Sequence, residues 1–275
     1  MIDLHCHSCF SDGKLSPEEL ITRALEAKLE ILALTDHDTV EGLATLHEAA
    51  SSHPLRIING IELSTRWRNH DIHILGLNID PQNELLTELI NKQNESRISR
   101  AQLIAEKLKL FGIDDAYEKA CQLAQHSRIG RPHLAQVLIN EGLAVDMQAA
   151  FKRFLAKGKP AYIPTPWVSI AIAIEGILAA KGDAVIAHPL KYKLTRTKLA
   201  ELISDFKEAG GVGIEVVSGE MTVTQIREMA GLCLRYGLLA STGSDYHGGA
   251  QARISLGRQA QLPLNCKPVW HQWTI

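Results

Sequence analysis

No stretch of the 275-residue chain approaches the roughly 20 consecutive apolar residues of a transmembrane helix, so we expect no membrane span. The first residues lack a basic segment followed by an apolar one, which predicts a cytoplasmic rather than a secreted protein. A formal net charge of −2 excludes the strongly basic surface that non-specific binding of duplex DNA requires. Nothing in the composition indicates an obligate protein partner.

The cysteines also lack the pattern of a disulfide framework. There are five, an odd number, and they are scattered along the chain, which fits reduced thiols. Cys6 and Cys9 do form a C-x-x-C motif. Redox-active pairs of this kind open a helix, whereas Cys6 lies in a strand-like run, so we expect no redox centre.

What the sequence does contain is an alternation of short β-type runs with helical segments. This alternation predicts an α/β fold with a parallel sheet, either open or closed into a barrel. Helix ends are well marked: Ser16, Pro17 and Glu19 form a capping box with proline in the first turn, and two later helices end at glycine. The predicted strands are Ile2–Leu4, Glu30–Leu34, Arg56–Ile61, Ile72–Leu77, Ala184–Ala187, Gly213–Val217 and Leu238–Ala240.

Strand signals are absent from residues 81–159, which read as consecutive helices. We therefore predict that residues 1–80 and 160–275 form the α/β domain and that 81–159 is a helical insertion. From Arg97 to Lys159 there are 11 basic and 6 acidic residues, a net charge of +5, whereas the remainder has 18 and 25, a net charge of −7. Such a basic insertion is either a solvated helical surface or a binding site for an anion.

Histidine or carboxylate side chains lie near the carboxyl end of every predicted strand. His5 and His7 follow the first strand and, being two residues apart, share one face. Because the carboxyl ends of parallel strands meet at one face, where such folds build active sites, we expect these side chains to converge. The candidates are His5, His7, Asp36, His37, Asp38, Glu62, His73, His188, Glu215, Asp245 and His247.

Such a set of ligands, without a group of thiolates, suits manganese, zinc, iron and other borderline ions. A structural zinc uses about four ligands, so the larger set predicts two or three divalent metal ions. Clustered metals activate a water molecule and stabilise charge on the attacked group. The residue types alone leave phosphoester hydrolysis and amide hydrolysis both open.

The motifs DLHCHSCFSDG, LTDHD, GIEL, HILG, AHP and GSDYH resemble, in this order, those of the PHP (polymerase and histidinol phosphatase) family. The resemblance implies a distorted seven-stranded (β/α)7 barrel with a helical insertion and a trinuclear metal site. We expect manganese ahead of zinc, iron or magnesium. Carried over motif by motif, the ligand sets are His5, His7, Glu62 and Asp245 for one metal; Glu62, His73 and His188 for a second; and Asp12, His37 and His247 for a third. By analogy with the related amidohydrolases, Asp245 would transfer the proton of the attacking water, with His188 or Asp36 assisting the leaving oxygen.

Within the insertion, NESRISRAQLIAEKL, SRIGRPHLAQVLINEG and FKRFLAKGKPAYIP resemble a group of small PHP phosphoesterases. These remove the 3′-phosphate from nucleoside 3′,5′-bisphosphates, and close relatives trim short 5′-phosphorylated RNA as 5′–3′ exonucleases. The resemblance implies that the insertion holds the 5′-phosphate, and a helix N-terminus flanked by arginines suits that task. The predicted substrate-binding residues are Arg97, Arg100, Arg128, Arg131, His133 and Lys159.

Three other functions stay open at this stage. The chain could be a phosphatase for a small metabolite such as histidinol phosphate, but the basic insertion favours nucleotides. A non-catalytic PHP domain that binds nucleic acid would not need the complete ligand set. Amide or lactone hydrolysis in a related barrel often uses a metal-bridging lysine, and no predicted strand ends in a suitable one.

Overall fold

The computed structural model describes residues 1–126, 128–249 and 254–273, and within them it contains one seven-stranded sheet whose strands follow in chain order. The Leu4 N–H donates to the Thr242 carbonyl (3.0 Å) and the Asp245 N–H to the His5 carbonyl (2.8 Å), which joins the first strand to the last. The sheet is therefore a barrel, as the family resemblance implies. Its strands are β1 (Ile2–Asp3), β2 (Ile31–Leu34), β3 (Arg56–Trp67), β4 (His70–Leu77), β5 (Asp183–Ile186), β6 (Gly213–Ser218) and β7 (Leu239–Gly243).

The prediction of an all-parallel sheet is wrong at one strand. β4 is antiparallel to both β3 and β5, whereas the other neighbouring strands pair in parallel. β3 continues beyond Ile61 to Trp67 and turns directly into β4 through Arg68, whose φ of 50° is left-handed. The prediction failed because an apolar alternation marks a strand without recording its direction, and no glycine marks this turn.

The helices begin and end largely where their caps predict. The Ser16 hydroxyl accepts from the Glu19 N–H (3.3 Å), and the Glu19 carboxylate accepts from the Ser16 N–H (2.8 Å). The last α-helix ends before Gly237, which is left-handed at φ 60°. The α-helices are α1 (Pro17–Glu26), α2 (Gly42–Ala50), α3 (Glu84–Leu108), α4 (Ala116–Ala124), α5 (Arg131–Asn140), α6 (Met147–Ala150), α7 (Ile170–Ala179), α8 (Arg196–Glu208) and α9 (Val223–Tyr236). None of the helices in the described ranges is both long and apolar enough to span a bilayer.

Side chains alternate between the two faces of the barrel strands. In β4, Ile72 and Ile74 pack in a cluster that includes residues of the outer helices, whereas Leu75 and Leu77 pack with residues of β2 and β5. The period of two therefore puts His73 on the same face as Leu75, toward the barrel interior. By the same rule, Glu62 shares the interior face of β3 with Ile58.

The chain divides into two compact units. We call residues 1–90 with 168–275 the barrel unit, and residues 91–167 the helical unit. The sequence predicts a helical insertion over residues 81–159. The helical unit begins ten residues later and ends eight residues later than that prediction. The helical unit has an apolar core of its own, which contains Ile104, Leu108, Leu134, Leu138 and Phe154 among others.

Truncating Phe206 of α8 should destabilise the barrel unit strongly, because its ring is fully buried in the cluster between barrel and helices. We expect Phe206→Ala to lower the free energy of unfolding by about 3–5 kcal/mol in chemical denaturation. Leu234→Ala is the matched control, since Leu234 of α9 is half exposed, and its effect should be about 0.5 kcal/mol. Equal effects for the two variants would contradict this description of the core.

Candidate metal centre

The first two histidines are placed by the segment that follows β1. The His7 N–H donates to the Tyr246 carbonyl (2.9 Å), and Cys6 pairs with Tyr246 in a parallel bridge. The Cys6 thiol points the other way and donates to the Ala33 carbonyl (3.3 Å). His5 and His7 therefore face the interior together and are both buried.

Glycine is required beside His5. A Cβ atom on Gly243, the last residue of β7, would lie 2.2 Å from the Cβ of His5 and 2.9 Å from a carboxylate oxygen of Glu215. Neither neighbour can withdraw, because both are fully buried. The glycine thus lets β7 approach the first strand closely enough to bring Asp245 to the site.

The Glu62 carboxylate lies at the centre of the cluster and is fully buried. Its Oε1 is 2.8 Å from His73 Nδ1 and 2.9 Å from His188 Nε2. Its Oε2 faces three other imidazole nitrogens at 3.1, 3.1 and 3.4 Å, those of His5, His7 and His37. Each oxygen has its own set of histidines, which is the arrangement of a carboxylate that bridges two metal positions.

The direction of β4 explains how His73 reaches this site. His73 is nearer the amino end of its strand, whereas the sequence analysis assumed ligands at carboxyl ends. Because β4 is antiparallel to its neighbours, its amino end lies at the barrel edge where their carboxyl ends lie. Glu62 is likewise inside β3, not at its end as predicted.

Asp245 and Asp12 supply the other carboxylates of the cluster. Asp245 Oδ1 is 3.4 Å from Nε2 of both His5 and His7. Asp12 Oδ1 is 3.3 Å from His247 Nε2, and its Oδ2 is 3.8 Å from His37 Nε2. The structure thus brings together all nine side chains that the sequence analysis proposed as ligands.

Among the described residues, possible ligand atoms within 4.8 Å of one another form three overlapping groups. Compared with the predicted sets, His7 joins the group around Asp12, and His37 takes the place of His188 beside Glu62 and His73. His188, which belongs to none of the three groups, contacts Glu62 alone among the predicted carboxylate ligands. The groups are His5, His7, Glu62 and Asp245; His37, Glu62 and His73; and His7, Asp12, His37 and His247.

These side chains fit a divalent metal. Ligand atoms held about 2.0–2.2 Å from one ion stand about 3–3.5 Å apart, which is close to the separations found here. Within the described ranges, His7 Nδ1, Asp12 Oδ1 and His37 Nδ1 are buried and make no hydrogen bond. Buried polar atoms normally have a partner, and a cation would supply one for each of these.

Charge within the cluster is strongly perturbed. Burial alone would raise the pKa of Glu62, but His37, His5 and His73 outweigh it and hold the pKa well below its usual range. Burial lowers the pKa of His188 to about 3. At His5, burial favours the neutral ring, yet the Glu215 and Glu62 carboxylates prevail and raise the pKa to about 10. The site therefore concentrates negative charge that attracts cations.

Glu215, whose role the sequence could not decide, orients two of the histidines. Its Oε1 accepts from His5 Nδ1 (3.0 Å), which leaves His5 Nε2 facing the cluster. Its Oε2 accepts from the backbone N–H of His188 (2.5 Å), a residue held at φ 25°. Asp245 is also left-handed, at φ 53°. Strained backbone of this kind persists only where the surrounding structure fixes it, and Glu215 provides part of that restraint.

Two other buried acids fasten the loops that carry ligands. The Asp36 carboxylate accepts from the Ser8 N–H (2.7 Å), the Ser8 hydroxyl (2.5 Å) and the Ser11 hydroxyl (2.6 Å), which holds the segment before Asp12.

Sequence reasoning missed Asp3. Its carboxylate accepts from the backbone N–H groups of Ser244 (2.9 Å) and Gly257 (2.8 Å). An acid inside a predicted strand was the only available signal for it.

In the helical unit, three of the four arginines that we predict to bind substrate, Arg97, Arg100 and Arg131, lie against aromatic rings. The guanidinium of Arg97 lies 5.1 Å from the centre of the Trp167 ring and that of Arg100 lies 5.9 Å from it. A Cβ atom on Gly130, the N-cap of α5, would be 3.6 Å from Nη1 of Arg97.

Arg131, Pro132 and His133 form the first turn of α5. His133 Nδ1 accepts from the Gly130 N–H (3.1 Å), so one backbone donor of this helix end is already used. Arg131 lies over Phe151, and Arg128 precedes the helix. Lys159 is exposed and lines a groove with Lys152 and Arg153.

A barrel whose interior joins histidines and carboxylates in three overlapping groups defines the class of metal-dependent hydrolases. The sequence profile of the PHP domain matches residues 3–162, which is more than half of the chain. The chain belongs to the PHP domain family, and the predicted family and barrel are thereby confirmed.

Close relatives and a solved structure agree with this placement. The 3′,5′-nucleoside bisphosphate phosphatase of Chromobacterium violaceum is 39% identical over 98% of this chain and 95% of its own length. The 5′-3′ exoribonuclease Rnm of Escherichia coli is 42% identical over 98% of this chain and 93% of its own length. The solved structure of an amidohydrolase from Chromobacterium violaceum, with bound sulfate and no metal, has a TM-score of 0.92 and 40% identity, covering 98% of this chain and 94% of that one.

Divalent metal should stabilise the fold through Glu62. Ligand at 100 times its Kd adds about 2.7 kcal/mol to the free energy of unfolding, so Mn²⁺ should raise the Tm by about 5–10 °C. Glu62→Gln should remove most of that increase in a thermal scan, because it removes a charge that faces five imidazoles. Glu48→Gln, at an exposed position in α2, should retain the full increase. A wild-type Tm that does not respond to Mn²⁺ would refute the metal site.

Proposed function

We propose that the protein is a metal-dependent phosphoesterase that removes the 3′-phosphate from nucleoside 3′,5′-bisphosphates and trims short 5′-phosphorylated RNA from its 5′ end. The observation that carries the proposal is the convergence of nine ligand-type side chains, Glu62 among them, in one barrel. The names of the two relatives described above give the substrate class, since both are similar to this chain over almost its entire length.

We propose two or three divalent ions, with manganese preferred. Glu62 would bridge two of the positions, because its Oε1 and Oε2 face different histidines. Asp245 would bind through Oδ1, and Asp12 would hold the position next to His247. When bound, such ions activate a water molecule and neutralise charge on the phosphoryl oxygens.

We propose that two side chains of the cluster act on the protons of the reaction. Asp245 has one carboxylate oxygen facing the cluster, and we assign it the proton of the attacking water. His188 Nδ1 makes no hydrogen bond within the described ranges. We assign to it a hydrogen bond to the leaving oxygen, which would receive the proton that Asp245 takes from the water. We prefer His188 to Asp36, whose carboxylate is already occupied by three hydrogen bonds.

In this proposal, basic side chains of the helical unit bind the 5′-phosphate, which is not hydrolysed. Arg97 and Arg100 are buried against an aromatic ring, so their guanidinium groups are held in place before a ligand arrives. Gly130 leaves room beside Arg97 at the start of α5, where backbone N–H groups favour an anion. We propose that Arg97, Arg100, Arg128, Arg131, His133 and Lys159 bind the 5′-phosphate.

The Mn²⁺-loaded protein should release phosphate from adenosine 3′,5′-bisphosphate with a kcat/KM about 100-fold above that for 3′-AMP. The reason is that binding of a distant phosphate orients the reacting one. Short RNA with a 5′-phosphate should likewise be degraded faster than the same RNA with a 5′-hydroxyl. Phosphate release and gel analysis of the RNA products measure these ratios.

Each rival function gives a different result in the same assays. Preference for histidinol phosphate would indicate a small-metabolite phosphatase. Binding of Mn²⁺ and RNA without product would indicate a non-catalytic domain. Equal turnover of 3′-AMP and the bisphosphate would refute binding of the 5′-phosphate while leaving the phosphatase activity in place.

Arg97→Ala should raise the KM for adenosine 3′,5′-bisphosphate about 10- to 100-fold and change the KM for 3′-AMP little, because 3′-AMP has no 5′-phosphate for the guanidinium to bind. Arg97→Lys should recover only part of the loss, since an ammonium lacks the two-pronged geometry of arginine. Arg196→Ala is the matched control, because Arg196 is almost fully exposed on α8. A loss of equal size on both nucleotides would contradict this role for Arg97.

A further inference from the structure

A lysine outside all the predicted sets reaches into the metal centre. Lys191 lies in a 3₁₀ turn, Pro189–Tyr192, directly after His188. The Tyr192 hydroxyl fixes this turn, because it accepts from the His73 N–H (2.9 Å) and donates to the Ala187 carbonyl (2.8 Å). The turn that holds Lys191 is therefore tied to the two strands that present His73 and His188.

The Lys191 ammonium forms an ion pair with Asp245 Oδ2. The other oxygen, Oδ1, faces His5 and His7 at 3.4 Å. The two oxygens of Asp245 thus have different partners. Oδ2 contacts Lys191, and Oδ1 faces the histidines and is available to a metal. The Lys191 ammonium can lie near the proposed metal positions because the negatively charged Asp245 carboxylate lies between them and the ammonium.

Lys191 is also accessible. Its side chain is 57% exposed although its ammonium contacts a carboxylate that is only 5% exposed. The carbon stem therefore lies at the mouth of the site, with the charge directed inward. Because the lysine side chain is open to solvent, its ammonium can leave Asp245 and pair with another anion that enters the site.

We propose that Lys191 binds the phosphoryl group under attack. As the phosphate enters, the ammonium would turn from Asp245 Oδ2 to a non-bridging phosphoryl oxygen and donate a hydrogen bond to it. Lys191 keeps its proton throughout. The oxygen of the attacking water forms the new bond to phosphorus and its proton passes to Asp245, while the bond between phosphorus and the leaving oxygen breaks and that oxygen takes up a proton. Positive charge placed where negative charge develops lowers the barrier more than it improves ground-state binding. The inference rests on the proposed phosphoesterase function and extends it by one residue.

The test compares Lys191→Met with Lys193→Met, which removes the same charge from an exposed position two residues further on. At saturating Mn²⁺, kcat/KM for adenosine 3′,5′-bisphosphate should fall about 100-fold in Lys191→Met and stay unchanged in Lys193→Met. Lys191→Arg should keep activity within about 10-fold of wild type, because it restores a cationic donor.

Calorimetry with inorganic phosphate gives a second readout that does not need turnover. Phosphate should bind the Mn²⁺-loaded Lys191→Met protein at least about 10-fold more weakly, whereas the affinity for Mn²⁺ should be unchanged. Unchanged phosphate affinity would overturn the proposal. So would an activity loss that disappears at higher Mn²⁺, because Lys191 would then only position Asp245 as a ligand. Should the wild-type protein not hydrolyse the bisphosphate, the proposed function fails, and phosphate affinity still tests Lys191.

Discussion

The structure depends on a single carboxylate, Glu62, kept charged inside the barrel. A buried carboxylate is unfavourable unless hydrogen bonds or opposite charges compensate for the lost water, and here five imidazoles surround it. Its place on β3 is fixed from both sides, because that strand pairs with β2 and β4. The remaining ligands are arranged around this one interior position.

Around Glu62 the barrel maintains conformations that an isolated chain would avoid. His188 and Asp245 both have positive φ angles, which are uncommon for residues with a side chain. Each has a backbone N–H held by the site itself: His188 donates to Glu215, and Asp245 donates to the His5 carbonyl. The strain at these two residues, which both face the cluster, is restrained by the next layer of hydrogen bonds.

Much of this site could be predicted from the sequence, because residues at the carboxyl ends of parallel barrel strands lie at the same edge of the barrel. His5, His7 and Asp245 follow strands whose carboxyl ends share one edge, so convergence followed from topology alone. His73 was assigned correctly to the cluster but with the wrong strand direction, since apolar alternation is the same for parallel and antiparallel neighbours. The long-range contact of Lys191 with Asp245, 54 positions away, leaves no pattern in the sequence at all.

The distribution of charge along the chain has a physical rationale. A phosphoesterase of the proposed kind needs cations for two purposes, to activate water and to hold phosphate, and free cations beside a metal cluster would compete with the metals for the same carboxylates. Outside residues 97–159 the chain has a net charge of −7, whereas that segment has +5. The arginines that we propose to bind phosphate belong to a different compact unit from the metal ligands. Lys191 is tolerable in the barrel unit because it pairs with the one oxygen of Asp245 that does not face the histidines.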